Sequence, residues 1–172
     1  VGALSLNAET IAVGAGAIIN SANEVELLAI ATQQTALPQA SQLVTAAALA
    51  NLNLAADSQI NAGNVLLQAQ VQSDPVIDNG TGVDSQASAA ISLAGQITSQ
   101  GNITVQSEVD HTVNLKTDEI TLDLLTTFAS VSTVDIAAAA ALSAQSGVVQ
   151  LSAMTTGIAA STTQQGRAQN TA

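Results

Sequence analysis

From Leu52 to Val71 apolar side chains fall at 52, 54 and 56, at 60 and 62, and at 65, 67, 69 and 71, with polar residues between most of them. This is a period of two, the side-chain repeat of a half-buried strand, broken where the chain turns. The stretch from Ile91 to Val109 echoes it. Ile91, Leu93, Ile97, Ser99, Ile103, Val105, Ser107 and Val109 take the same roles, and Gly101-Asn102 stands 38 positions after Gly63-Asn64. Short strands, Gly-Asn corners and a recurring register predict an all-β chain wound as a parallel β-helix, a solenoid with loop excursions, for which the right-handed form is taken as the expectation. A coil of about 20 residues, half the observed spacing, would give eight or nine turns and a rod of roughly 40 Å. Stacked Asn side chains at the corners would hydrogen-bond along the axis.

The rest of the chain fits this pattern unevenly. Leu4, Leu6 and Ala8, then Ile11 and Val13, then Val25, Leu27, Ala29 and Ala31 alternate with other residues, and Asn23 precedes Val25 as Asn64 precedes Val65. Residues 38–50 read two ways. Pro38 and the following Ala-rich run suit a short helix, whereas Leu43, Thr45, Ala47 and Leu49 suit one face of a strand. The strand is preferred because it needs no change of period before Leu52. Residues 73–85, with Pro75, Asn79-Gly80 and Gly82, read as a projecting loop. Residues 108–123 carry much of the charge but keep alternating apolar positions at Val113, Leu115, Ile120, Leu122 and Leu124, so they predict a strand with charges outward. A second short helix is a candidate at 135–146, with Asp135 placed to cap and Gly147 to terminate it. Against that, Val148-Val-Gln-Leu-Ser-Ala153 repeats the strand after Gly63. The expected organisation is a solenoid over residues 1–157 and a polar, weakly ordered tail over 158–172, the whole read as a mature or excised segment of something larger.

Composition sharpens the architecture. Hydrophobic residues make up 47% of the 172, yet there is one Phe and no Tyr, Trp or Cys, so the interior must be built from Ala, Val, Leu and Ile. A thin solenoid core needs no aromatic anchors, because each inward side chain packs on its copies above and below. Charged residues are only 9%, against about a quarter in ordinary domains, which leaves Ser, Thr, Asn and Gln to face water. The formal charge of −11 argues against nucleic acid and against a basic membrane patch. No apolar run approaches the roughly 20 residues of a spanning helix, so no membrane insertion is expected. Without cysteine, disulfides and thiol chemistry are excluded.

The segments Leu52-Asn-Leu-Ala-Ala-Asp-Ser-Gln-Ile-Asn-Ala-Gly-Asn-Val-Leu-Leu-Gln-Ala69 and Ile91-Ser-Leu-Ala-Gly-Gln-Ile-Thr-Ser-Gln-Gly-Asn-Ile-Thr-Val-Gln-Ser107 resemble the haemagglutinin repeats of bacterial filamentous haemagglutinin-like exoproteins and similar autotransporter passengers. The resemblance covers about half the chain. It implies a structural or adhesive segment of a large secreted or cell-surface protein, an extracellular β-helical shaft, and it supplies no catalytic residue. Expected partners are flanking repeats or identical subunits in a fibre, with host, surface or glycan ligands on the outer face. The alternatives are a subunit that polymerises into an extracellular filament through open strand edges and, further off, a polysaccharide-active β-helix enzyme.

Candidate chemistry is sparse, and no enzyme activity or cofactor is expected. His111 is the only histidine; strand alternation puts Glu108 and Asp110 on one face and His111 on the other, which spoils a shared metal or acid-base site and leaves a solvated strand face as its reading. Asp74, Asp78 and Asp84 in the 73–85 segment have the oxygen chemistry for Ca²⁺. They lack both EF-hand spacing and the tandem Gly-Gly nonapeptide of β-rolls, so they are weak metal candidates in an acidic loop.

Overall fold

The computed structural model describes residues 2–33, 36–37, 43–78, 82–116, 124–162 and 168–171. Within them the chain makes five passes of strands. The first holds β1 (Ala3–Ala8), β2 (Thr10–Val13) and β3 (Ile18–Asn20), and the second β4 (Glu24–Gln33), β5 (Ala36–Leu37), β6 (Leu43–Leu54) and β7 (Gln59–Ala62). The third holds β8 (Asn64–Ser73), β9 (Val76–Asp78), β10 (Gly82–Leu93) and β11 (Gln96–Ser99). The fourth is β12 (Ile103–Lys116), β13 (Leu124–Ile136) and β14 (Ala141–Ala144), and the fifth β15 (Val149–Thr162) and β16 (Ala168–Thr171).

Each pass adds one strand to the edge of a parallel sheet. The first sheet runs β1-β4-β8-β12, with β15 beyond β12 and the short β5 and β9 aligned on the far end of β12. The second runs β2-β6-β10-β13-β16 and the third β3-β7-β11-β14. Three parallel sheets of stacked strands, visited in cyclic order, are the arrangement expected of a β-helix.

Register sets the repeat and corrects the expected coil length. Val25 aligns with Val65, Val65 with Ile103 and Ile103 with Val149, steps of 40, 38 and 46 residues. The 38-residue echo is therefore a whole pass and not two. The expected short strands are replaced on two sides by strands of 10 to 14 residues, and these long sides use up the chain. Five strands about 4.8 Å apart give a stack of roughly 20 Å, not 40 Å.

The inward face is a set of aliphatic columns. Val25, Val65 and Ile103 form one, Leu27, Leu67 and Val105 the next, with Leu52 over Ile91, Leu54 over Leu93 and Ile60 over Ile97 on the other two sheets. All are buried. Like packs on like because in-register parallel pairing puts equivalent side chains one strand spacing apart, and burial of each large aliphatic contributes about 1.5–3 kcal/mol.

Both helix expectations fail where the chain is described. Residues 43–50 belong to β6, as preferred, and the face that Ala47 and Leu49 share is the outer one: Ala46, Ala48 and Ala50 point inward, while Ala47 and Leu49 face solvent, Leu49 at 52% exposure. Parity decides this, because the inward set must continue without a break into Leu52 and Leu54. Residues 38–42 lie outside the described residues. At 135–146, Asp135 and Ile136 close β13, a turn bonds the Ala140 amide to the Ala137 carbonyl (2.9 Å), and β14 follows. Alanine's helix preference of a few tenths of a kcal/mol per residue loses to sheet pairing, in which the Ala137 amide donates to the Leu93 carbonyl (2.8 Å).

The 73–85 segment is not a projecting loop. Val76–Asp78 lies in the first sheet and Gly82–Ser85 opens β10; residues 79–81 are outside the described set. Pro75, which has no amide to donate, sits between β8 and β9, where its carbonyl accepts from the Asn114 amide (3.0 Å). At the far end β15 runs through Thr162 and β16 pairs with residues 124–127.

Candidate functional site

His111 is the clearest departure from expectation. Glu108 and Asp110 point outward as predicted, but His111 shares the inward phase with Val109 and Val113 and has no solvent exposure. Its column holds Ser73 before it and Gly157 after it. Across the interior, β10 and β13 bring Ser85 Oγ to 2.7 Å from Nε2 and Ser130 Oγ to 2.9 Å from Nδ1. The chain's only phenylalanine, Phe128, stacks on the imidazole with centroids 4.2 Å apart and planes 15° from parallel. A Cβ at Gly157 would run into the Phe128 ring, so glycine there leaves room for the stack.

Burial pushes the His111 pKa below its ordinary value, with a partial opposing contribution from the Ala129 backbone. The ring is therefore held neutral, one nitrogen donating and the other accepting, and each serine hydroxyl can supply either role. Further serines continue this polar interior. Ser132 donates to Ser107 (2.8 Å), Ser107 to the Ala89 carbonyl (2.9 Å), and Ser73 to Gln33 Oε1 (3.1 Å). With His111 and Ser85 fully buried and Phe128 and Ser130 partly so, the cluster fixes how the first two sheets face each other. Sequence reasoning missed Ser85, Phe128 and Ser130. The signal available was parity, which groups His111 with Val109 and Val113.

The three aspartates are not gathered. Asp74 is exposed in the corner between β8 and β9, its Oδ1 accepting from Asn114 Nδ2 (2.9 Å). Asp78 closes β9 in the first sheet, whereas Asp84 lies on β10 in the second with one carboxylate oxygen buried and without a hydrogen-bond partner. Strand β9 holds the segment extended, which spreads these residues over two sheets. Among the described residues no group of three or more His, Cys, Asp or Glu is placed to hold a metal ion.

The corner from the third sheet back to the first bears out the axial asparagine contacts, made to backbone in place of a neighbouring side chain. Asn64 Oδ1 accepts from the Asn102 amide (2.9 Å), and Asn102 Oδ1 from the Val148 amide (3.1 Å). Glycine precedes each rung by necessity. A Cβ at Gly101 would meet Asn64 Oδ1, and one at Gly147 would meet Asn102 Oδ1. Beside this ladder runs a groove of about 470 Å³ lined by Asn20, Ser21, Asn61, Thr98, Gln100 and Gln145 together with two alanines.

At the end of the stack the inward columns lose their cover. Val149 and Leu151, which continue the Ile103 and Val105 columns, are 42% and 47% exposed, and Ile136, above Leu93, is 37% exposed. Among the described residues no helix is long and apolar enough to cross a membrane. Compared with known proteins, the chain matches no family model, no curated protein and no solved structure.

Proposed function

We propose that this chain is a segment of a right-handed parallel β-helix acting as a stiff shaft with an adhesive outer face, within a large secreted or cell-surface bacterial exoprotein. The observation that carries the reading is the unbroken register: the column Leu4, Val25, Val65, Ile103, Val149 runs through β1, β4, β8, β12 and β15, one strand of the first sheet from each pass, without a slip. Backbone pairing of this kind resists extension and bending along the whole stack, and right-handed connection is the rule between parallel strands of one sheet. Outward positions are then free to vary, and here they are mostly Ser, Thr, Asn and Gln. The proposal assigns no catalytic residue and leaves Asp74, Asp78 and Asp84 without a metal role. Antibody labelling of intact source cells tests the location, and circular dichroism of the purified chain tests the shaft. Labelling without lysis and a β-dominated spectrum are expected; labelling only after lysis, or a helical spectrum, overturns the reading.

One observation favours a second reading, a subunit that assembles through open strand edges. β15 pairs with β12 along one edge only, among the described residues, and presents Val149 and Leu151 at the uncovered end. An unpaired strand with apolar side chains is a template for another chain. Fibres at micromolar concentration that Leu151→Lys abolishes would support this reading; monodisperse particles at all concentrations would exclude it.

A further inference from the structure

We propose that the groove beside the asparagine ladder binds an uncharged, polyhydroxylated chain, a short stretch of neutral glycan lying along the stacking axis. This rests on the adhesive reading above and names its ligand class. The groove crosses four passes of the chain. Asn20, Asn61 and Thr98 stand in one register column, contributed by β3, β7 and β11, and Gln100 and Gln145 flank it on the next two corners.

Three properties fix the ligand chemistry. First, none of the lining residues is charged, although the chain carries −11 overall, so neither an anionic nor a cationic ligand is selected there. Second, the backbone of this corner is already used: the Gln100 amide donates to the Ala62 carbonyl (3.0 Å) and the Gln145 amide to the Ser99 carbonyl (2.9 Å). The strip therefore does not present a free strand edge to a peptide. Third, the side chains remain available. Asn61 Nδ2 donates to Asn20 Oδ1 (2.9 Å), which orients both amides, while Thr98, Gln100 and Gln145 make no side-chain hydrogen bond to a described residue. Carboxamides and hydroxyls both donate and accept. Repeated about every 4.8 Å along a concave strip, they suit a ligand that presents alternating donors and acceptors along its length.

The groove has no aromatic platform, so hydrogen bonds alone must hold the ligand and a single segment binds in the millimolar range. Repetition along a longer shaft would raise the avidity.

Titration of the purified chain with uncharged hexasaccharides of glucose, mannose and N-acetylglucosamine, followed by NMR, tests the proposal against a uronic acid hexasaccharide and a Gly-Ser-Thr peptide. Saturable millimolar binding of at least one neutral glycan is expected, unchanged by added salt because no charge is involved. Gln100→Ala and Gln145→Ala should each weaken it about three- to tenfold, the effect of one hydrogen bond, while Gln86→Ala on the second sheet changes nothing. No saturable binding of any neutral sugar, preference for the uronate or the peptide, or indifference to both groove substitutions would overturn it. Circular dichroism on the same variants separates the two readings, since loss of glycan binding with a β spectrum retained removes the ligand and leaves the shaft.

Discussion

The interior has two halves that solve the same packing problem differently. Where all three sheets meet, Val25, Leu27, Val65, Leu67, Ile103 and Val105 pack as repeated aliphatics with Leu52, Leu54, Ile60 and their copies, and the buried hydroxyls of Ser58 and Ser99 stay at the corners. Where only the first two sheets face each other, the strands carry Ser73, Ser85, Ser107 and His111, each with a hydrogen-bond partner in the interior. An aliphatic column is tolerant, because any rung of similar volume fits above any other. A hydrogen-bonded cluster is specific, because each group fits one partner and an orphaned group is penalised. The aliphatic half therefore supplies most of the stability, and the polar half pins which pass lies against which.

This contrast can be broken most severely in the aliphatic half. Leu67→Ala should lower unfolding free energy by about 2–5 kcal/mol, read from the urea midpoint, because the column holds the cavity open from both sides. At the corner from the third sheet back to the first, Gly101→Ala should destabilise by about 1–3 kcal/mol in the same assay, since its Cβ meets Asn64 and the Gly63 backbone. In the polar half, His111→Leu should also lose about 1–3 kcal/mol, the penalty for stranding Ser85 and Ser130. Adding Ser85→Ala and Ser130→Ala should recover much of that loss, whereas the same serine changes with His111 present should not stabilise.

A smaller effect follows from protonation. The unfolded imidazole takes up a proton near its ordinary pKa of about 6.5, while in the folded chain burial holds it lower. Between those two values the unfolded state binds more protons, so the His111 contribution is complete above about pH 6.5 and is lost as pH falls through the folded pKa. The difference between wild-type and His111→Leu midpoints should therefore shrink on acidification below about pH 6.5. The smallest effect tests the outward face. Leu49→Thr should change stability by less than about 0.5 kcal/mol, as expected of an exposed strand position; a loss like that of Leu67→Ala would mean the face is misassigned.

Much of this architecture is legible in the residues. Leu52, Leu54, Ile60, Val65, Leu67, Ala69 and Val71, with their echo from Ile91 to Val109, are buried as their alternation predicts, and the Gly-Asn corners carry axial hydrogen bonds. The candidate chemistry is less legible. The charged neighbours Glu108 and Asp110 make His111 read as solvated, although alternation sends adjacent strand residues to opposite faces. The groove residues Asn20, Asn61 and Gln145 are more than a hundred positions apart at the extremes, and no local pattern links them until the passes are stacked.

By itself the sequence determined the strands within 52–71 and 91–109, their inward phase except at Ala56, which is exposed in the turn before β7, and the corners, because period-two burial and glycine at a close approach are local constraints. Tertiary structure alone decided that 38 residues make one pass, that the helix preference of the alanines at 137–140 yields to pairing, and which polar residues meet inside. Those outcomes depend on which strand lies against which, and pairing between strands some 40 residues apart is a property of the stack.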